Sequence, residues 1–211
     1  MPNFWLLKCE PEVYSIADLA RDGKTGWDGV RNYQVRNFMR DTMKPGDLGV
    51  FYHSNADPSG AAGILEIRRT ALADPTQFDP GSDGHDPKSD PKAPTWLMCE
   101  VGFVEAFRGV IPLEQLRAEK ALAGMQILQR GNRLSITPLT EAEFTHIRRL
   151  GAAGPAAGRV PAPASAPMSA PVSAPVPAPV PASVAKVAGA TRVGRKPVRT
   201  AAKPSRAKST R

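Results

Sequence analysis

The composition of the chain changes sharply near residue 150, and this break limits which part can fold around a core. All 20 acidic residues lie between Glu10 and Glu143, and the last aromatic residue is Phe144. Residues 151–211 hold 11 of the 22 prolines and almost no large apolar side chains. Such a segment cannot bury enough surface to offset the entropy cost of ordering. We therefore expect a folded domain over residues 1–150, a disordered Pro/Ala-rich linker over 151–185 and a disordered basic tail over 186–211.

The net charge of +8 is the sum of two parts with charges of opposite sign. Ten of the 28 basic residues lie in residues 151–211 without any acidic residue, which leaves 18 basic against 20 acidic residues in the body. The body is thus formally −2 and the remainder +10. A basic arm favours a polyanion as partner, because each phosphate it neutralises releases counterions. A solubilising tail without a specific partner is the alternative, and nucleic acid is the preferred interpretation.

Several other classes of protein are disfavoured by the sequence. The N-terminus MPNFWLLKCEPE lacks the basic start and apolar segment of a signal peptide. No run approaches the roughly 18 apolar residues of a membrane span. The two cysteines, Cys9 and Cys99, provide neither a disulfide framework nor metal-ligand spacing. We expect a cytoplasmic, nucleoid-associated protein, or a nuclear one in a eukaryote, without membrane partner, metal or cofactor; a monomer is the simplest expectation.

Residues 1–150 combine strand and helix signals in an α+β pattern. Capping-box spacing at Ser15/Asp18 and Thr140/Glu143 predicts two helix starts, and a third helix is expected near Asn32. The pattern lacks the regular strand–helix alternation of a doubly wound sheet, so a mainly antiparallel barrel with helices outside fits better. The predicted strands are NFWLLKC, LGVFYHS, AGILEIRR, WLMCEVGFVEAF and two around the RGN turn in QILQRGNRLSIT.

The stretch GWDGVRNYQ, residues 26–34, mixes aromatic and hydrogen-bonding side chains. Trp27 lies between Gly26 and Asp28, where the sequence shows no strand or helix that would explain a core role. An aromatic ring at a loop junction can stack on a planar base while polar neighbours read the edge of that base. Such stacking is worth about 1–3 kcal/mol. The sequence therefore predicts a base-binding pocket here, completed by the strand end at residues 51–55.

A thiol-dependent hydrolase is the alternative from a different class. Cys9, His53 and Asp28 could form a nucleophile with its base and an orienting acid. Cys9 follows the apolar run FWLL, however, so a buried structural cysteine is the preferred interpretation. The acidic loop DPGSDGHDPKSD matches no order of calcium ligands, and PSGAAGI lacks the Lys and Ser or Thr of a phosphate-binding loop. We predict no catalytic residue.

Six motifs carry a resemblance to a known family: WLLKCEPEVYS, WDGVRNYQVRNFMR, MKPGDLGVFYHSN, GILEI, PTWLMCEV and RLSITPL. In this order they resemble the EVE domain family, over residues 2 to about 150. The resemblance implies a PUA-like β-barrel with flanking helices, related to the YTH readers of methylated adenine in RNA. It also implies a non-catalytic domain that binds modified bases, such as 5-methylcytosine derivatives in DNA.

The same resemblance implies roles for individual residues. Trp27 and Trp96 look like the two walls of an aromatic cage, and Cys9 stands where the family usually has serine. The polar set implied around the pocket is Lys8, Glu10, Asp28, Arg31, Asn32, Tyr52, His53 and Ser54. The expected function is a modified-base reader whose basic tail adds non-specific affinity. Binding of modified RNA, such as tRNA, and nucleoid packing by the tail alone remain alternatives.

Overall fold

The computed structural model of the protein describes residues 2–154. The predicted linker and basic tail lie outside the described residues. Within residues 2–154, six strands form one sheet: β1 (Phe4–Cys9), β2 (Lys24–Trp27), β3 (Leu48–His53), β4 (Gly60–Ala73), β5 (Leu97–Pro112) and β6 (Ile136–Leu139). The described residues also form four α-helices: α1 (Ile16–Asp22), α2 (Tyr33–Asn37), α3 (Leu113–Ala118) and α4 (Glu141–Ala153). A π-helical turn over Phe38–Thr42 continues α2.

The strands lie in the order β2–β5–β4–β3–β1–β6, and every neighbouring pair is antiparallel except the parallel pair β1 and β3. The register between β4 and β5 shifts at four points. Such bulges bend strands and increase twist, so the two long strands can curve the sheet. The structure confirms the prediction of an α+β, PUA-like barrel with flanking helices.

The two faces of the sheet contact separate hydrophobic clusters. The first cluster contains Trp5, Leu7, Trp27 and Phe51, together with buried residues of α1 and α2. The second contains alternate strand residues, such as Leu6 and Val50, and packs against α3 and α4. Successive side chains of a strand point to opposite faces, which explains the division. No helix within residues 2–154 is long and apolar enough to cross a membrane.

The predicted helix starts are confirmed by their capping bonds. The Ser15 hydroxyl accepts a hydrogen bond from the Asp18 amide, while the Asp18 carboxylate accepts one from the Ser15 amide. Thr140 and Glu143 make the same reciprocal pair at α4.

The prediction of two strands in QILQRGNRLSIT is wrong in part. Gln126–Leu128 forms a 3-10 helix, and only Ile136–Leu139 joins the sheet. Asn132 explains part of the difference, because its side chain donates to the carbonyl of Gln126 and accepts from the amide of Leu134. Local side-chain bonds of this kind compete with ladder pairing.

Candidate nucleic-acid interface

The parallel strands β1 and β3 end side by side and bring four predicted site residues together. Cys9 is the register partner of His53, and the amide of Ser54 donates to the carbonyl of Cys9 at 2.9 Å. Glu10 follows directly, and its carboxylate accepts a hydrogen bond from the Asn55 side chain at 2.8 Å. We call Cys9, Glu10, His53 and Ser54 the strand-end group.

Burial sets the protonation of two members of the strand-end group. Desolvation lowers the pKa of His53, and the Nε2 atom of its ring accepts a hydrogen bond from the amide of Ile16 at 3.2 Å. The neutral ring therefore carries its proton on Nδ1. Desolvation also raises the pKa of Cys9 to about 12, and the thiol donates to the carbonyl of Glu10. A protonated, buried thiol is not an activated nucleophile, so this geometry gives the hydrolase alternative no support.

Trp27 is the last residue of β2, where it pairs with Cys99 of β5. The expectation that no strand holds Trp27 is therefore wrong. Its side chain is completely buried, and its ring meets Phe51 edge-on with centroids 5.4 Å apart. The Phe51 ring in turn lies 5.5 Å from that of His53. Trp27 is thus joined to the strand-end group through one aromatic ring.

Trp27 and Ser54 each hold a buried polar atom without a hydrogen-bond partner among residues 2–154. These atoms are the Trp27 indole Nε1 and the Ser54 hydroxyl Oγ. A buried donor left without an acceptor costs about 1–3 kcal/mol. Native structures contain few such groups, so each one is a candidate contact for a ligand.

The loop after Trp27 is fixed by Asp74, a residue that sequence reasoning missed. The Asp74 carboxylate is fully buried and accepts hydrogen bonds from the Gly29 amide at 2.9 Å and the Arg31 guanidinium at 2.7 Å. Its second oxygen accepts hydrogen bonds from the backbone amide and the hydroxyl of Thr76. The signal was the order Asp–Pro–Thr, since Asp at a helix N-cap followed by proline predicts this local cap. The hydrogen bonds from Gly29 and Arg31 to Asp74 could not be predicted from the neighbouring sequence, because these donors lie 45 and 43 residues before Asp74.

Trp96 lies in a second place, beside the Arg31 side chain. It is only 6% exposed, and its indole Nε1 donates to Asp86 at 2.7 Å. The Arg31 guanidinium carbon lies 5.4 Å from the Trp96 ring centroid, and the Tyr33 ring lies 4.8 Å away. Asn32 caps α2 by accepting the amides of the two residues that follow Tyr33. Arg31 and Asn32 are therefore engaged in structural bonds next to this stack.

Lys8 and Tyr52 are register partners across β1 and β3, but they belong to the other face of the sheet. Tyr52 packs in the second cluster with Leu6, and alternation puts Lys8 on the same face as Leu6. Burial lowers the pKa of Lys8 and raises that of Tyr52 to about 12. The structure thus separates these two from Cys9 and His53. Asp28 is buried at the start of the loop after β2.

Comparison with known proteins assigns the family. The sequence model of the EVE domain matches residues 3–150. This chain belongs to the EVE domain family. Thymocyte nuclear protein 1 of Mus musculus is 41% identical over 175 residues, which cover 74% of this chain and 76% of the relative. The human counterpart is 40% identical over 174 residues, covering 74% of this chain and 77% of the relative.

Solved structures give the same assignment. A hypothetical protein from Leishmania major shares 40% identity at a TM-score of 0.68 and covers 72% of this chain and 95% of its own. The human THYN1 protein, in complex with DNA containing 5-methylcytosine, shares 39% identity at a TM-score of 0.65 and covers 71% of this chain and 97% of its own.

Within this EVE domain, the predicted site residues fall into three places. The strand-end group lies near Trp27 and the buried Asp28. The second place is the stack that Tyr33 and Arg31 form on the Trp96 ring, and Asn32 is next to it in the chain. Lys8 and Tyr52 lie on the far face of the sheet. Among residues 2–154, no group of three or more His, Cys, Asp or Glu side chains is arranged to hold a metal ion.

Proposed function

We propose that this EVE domain binds DNA that carries a modified base of the 5-methylcytosine type, without catalysis. The observation that supports this most directly is its likeness to the human protein bound to DNA containing 5-methylcytosine, at a TM-score of 0.65 over 97% of that chain. The body is not strongly basic, so selectivity in this proposal depends on a pocket rather than on long-range attraction.

The proposed pocket is formed by Trp27 and the strand-end group, which are joined through the Phe51 ring. Trp27 offers a buried indole N–H without an acceptor, and His53 carries its proton on Nδ1. Cytosine presents a ring nitrogen and a carbonyl oxygen, which are acceptors that such donors fit. Ser54 and the protonated thiol of Cys9 add hydroxyl and thiol groups, which can donate or accept. Glu10 can accept from the exocyclic amine of the base.

Trp27 and Trp96 are the two aromatic walls in this proposal, and both are covered in this structure. Trp27 is a fully buried member of the first cluster, so a base can reach its ring only if a neighbouring segment moves. Trp96 is covered by Tyr33 and Arg31, so its role in this proposal is to hold these two side chains in position next to the base. Asp28, Arg31 and Asn32 then act as the loop that fixes the spacing of the two walls.

The residues after α4 supply sequence-independent affinity in this proposal. The ten basic residues within 151–211 face no acidic residue in that segment. Deleting residues 155–211, which begins after the last residue of α4, should weaken binding to all DNA and flatten its salt dependence. The ratio of affinities for modified and unmodified DNA should stay the same. An unchanged salt slope after the deletion would contradict this role.

Competition binding tests the proposal as a whole. A labelled oligonucleotide with 5-methylcytosine is displaced by the same sequence in three forms: modified DNA, unmodified DNA and RNA with 5-methylcytosine. We expect modified DNA to compete best. Stronger competition by the RNA would favour modified RNA as ligand, and equal competition by all three would reject a base-selective pocket. Nuclear or nucleoid localisation stays a prediction.

A further inference from the structure

We propose that Tyr33 forms a second base-stacking position, for the nucleotide next to the modified base in the same strand. This inference rests on the proposed function. Tyr33 is 59% exposed, whereas the next most exposed large apolar side chains within residues 2–154, Val104 and Val13, are 38% and 37% exposed. An exposed aromatic ring loses contact with water when a base stacks on it, which makes it a favourable platform.

The Tyr33 ring is held in place before any ligand arrives. Tyr33 is the first residue of α2, directly after the Asn32 cap, and its ring lies 4.8 Å from that of Trp96. Trp96 is fixed in turn, since its backbone amide donates a hydrogen bond to the side-chain oxygen of Gln77 at 2.9 Å and its indole N–H donates to the carboxylate of Asp86. A ring fixed this way loses little conformational entropy on binding.

Arg36 places a positive charge over the Tyr33 ring, which remains 59% exposed. Its guanidinium carbon lies 4.8 Å from the Tyr33 ring centroid. Within the described residues, the acceptors that Arg36 contacts are the neutral oxygens of Asn37 and Thr95, at 2.8 Å and 3.4 Å. Its charge is therefore not cancelled by a contacting carboxylate, in contrast to Arg31 beside Asp74. A flat ring next to such a cation fits a base and its phosphate better than an apolar protein surface.

The position of Tyr33 along the chain limits its distance from the proposed pocket. Tyr33 follows Trp27 by six residues, which can span at most about 20 Å. The loop between them is pinned to Asp74 through Gly29 and Arg31. One strand can therefore contact both positions, and the proposal assigns to Tyr33 the nucleotide next to the modified base. Enzymes and readers that extrude a base commonly contact the flanking nucleotides as well.

A double-mutant cycle with abasic oligonucleotides tests the inference. The full chain, at about 0.3 M salt to weaken non-specific binding, is titrated with single-stranded DNA containing one 5-methylcytosine. Two further oligonucleotides carry an abasic site on its 5′ or its 3′ side. We expect Y33A to lose roughly 5- to 160-fold in affinity for the intact strand, the range of one stacking contact of about 1–3 kcal/mol. One of the two abasic sites, on the side that faces Tyr33, should lower the affinity of the wild type by a similar factor. The same abasic site should lower the affinity of Y33A only slightly.

Control variants separate stacking from structural damage. Y33F should bind like the wild type. Y33L, which keeps an apolar contact with Trp96 but has no flat ring, should bind like Y33A with an unchanged melting temperature. V104A, at another exposed apolar side chain, should have no effect.

The inference is overturned if both abasic sites cost the wild type and Y33A the same factor, or if Y33A binds the intact strand normally. A wild type that binds modified and unmodified strands equally would instead reject the proposed function, and the abasic cycle would still report on Tyr33.

Discussion

The Arg31 guanidinium lies 2.7 Å from the Asp74 carboxylate, whose side chain is completely buried, while that of Arg31 is 22% exposed. The pair joins the loop after β2 to the end of β4, 43 residues away. Removing one partner of a buried pair leaves the other charge without compensation and typically costs 3–5 kcal/mol. We expect D74N to lower the free energy of unfolding by about 3 kcal/mol, as measured by urea denaturation.

The exposed pair Arg40 and Asp41 provides the matched control. Both side chains are about half exposed, so solvent screens their attraction and the pair contributes little. D41N should leave the unfolding midpoint nearly unchanged. Equal losses in D41N and D74N would mean that burial of the Arg31–Asp74 pair does not stabilise the loop.

Trp27 and Trp5 are both fully buried but differ at the indole nitrogen. The Trp5 Nε1 atom donates to Asp47 at 3.0 Å, whereas the Trp27 Nε1 atom has no partner within residues 2–154. Phenylalanine keeps most of the ring and removes this donor. W5F should lose about 1–3 kcal/mol, because a buried hydrogen bond is broken. W27F should lose less, since the donor it removes is unsatisfied.

The affinity for modified DNA should fall more in W27F than in W5F, which is the reverse of the order for stability. W27F should weaken binding to modified DNA several-fold if the indole N–H meets the base, and W5F should leave binding unchanged once the folded fraction is taken into account. Calorimetric melts and anisotropy titrations of the two variants check both halves. Normal binding by a folded W27F would mean that Trp27 serves the core alone.

Local signals in the sequence predicted much of the fold. Ser15 and Thr140 predicted two helix starts, because each cap bonds to an amide within three residues. The spacing of apolar residues predicted a further helix near Asn32, where α2 begins. Most of the strands followed from apolar runs of strand length. These features depend on neighbours in the chain, so the sequence alone contains them.

Features that depend on distant partners could not be predicted. β2 is a strand of four residues that pairs with β5, which lies more than 70 residues later, so the strand that buries Trp27 was missed. The partners of Asp74 are equally distant. The family resemblance implied that Lys8 and Cys9 belong to one pocket, yet neighbouring residues of a strand place their side chains on opposite faces of the sheet.

Both cysteines should resist thiol reagents in the folded protein. Cys9 and Cys99 are fully buried, and desolvation raises the pKa of each to about 12. Because the thiolate is the reactive form, labelling at pH 7–8 should be slow until the chain unfolds. A disulfide reagent added with and without urea measures the rates. Fast labelling of native Cys9 would revive the hydrolase alternative.

Replacing Cys9 with serine distinguishes a reader from an enzyme. The Cys9 thiol donates to the carbonyl of Glu10 at 3.6 Å, and a hydroxyl can make the same bond more strongly. We expect C9S to bind modified DNA at least as well as the wild type, with a small change in the melting temperature. Loss of binding in a folded C9S would show that the pocket requires sulfur.

His53 should make stability depend on pH near neutrality. Its Nε2 atom accepts from the Ile16 amide, the first residue of α1, and burial lowers the pKa of the ring below its ordinary value near 6.5. The unfolded chain therefore binds more protons at this site than the folded one. The contribution of His53 is fully present above about pH 6.5 and is lost as the pH falls towards the lower pKa of the folded state. Carboxylates such as Asp18, whose pKa is lowered by hydrogen bonds from Ser15, act in a more acidic range.

H53Q isolates this contribution, since the glutamine oxygen can accept from the Ile16 amide but does not titrate. The free energy of unfolding of both proteins is measured by urea denaturation from pH 5 to pH 8. The wild type should lose stability relative to H53Q as the pH falls below about 6.5, and the difference should be constant above it. If the difference stays constant down to pH 5, His53 is not held neutral by the fold. The conclusion that the His53 ring carries its proton on Nδ1 would then be wrong, because it assumes a neutral ring that accepts from the Ile16 amide.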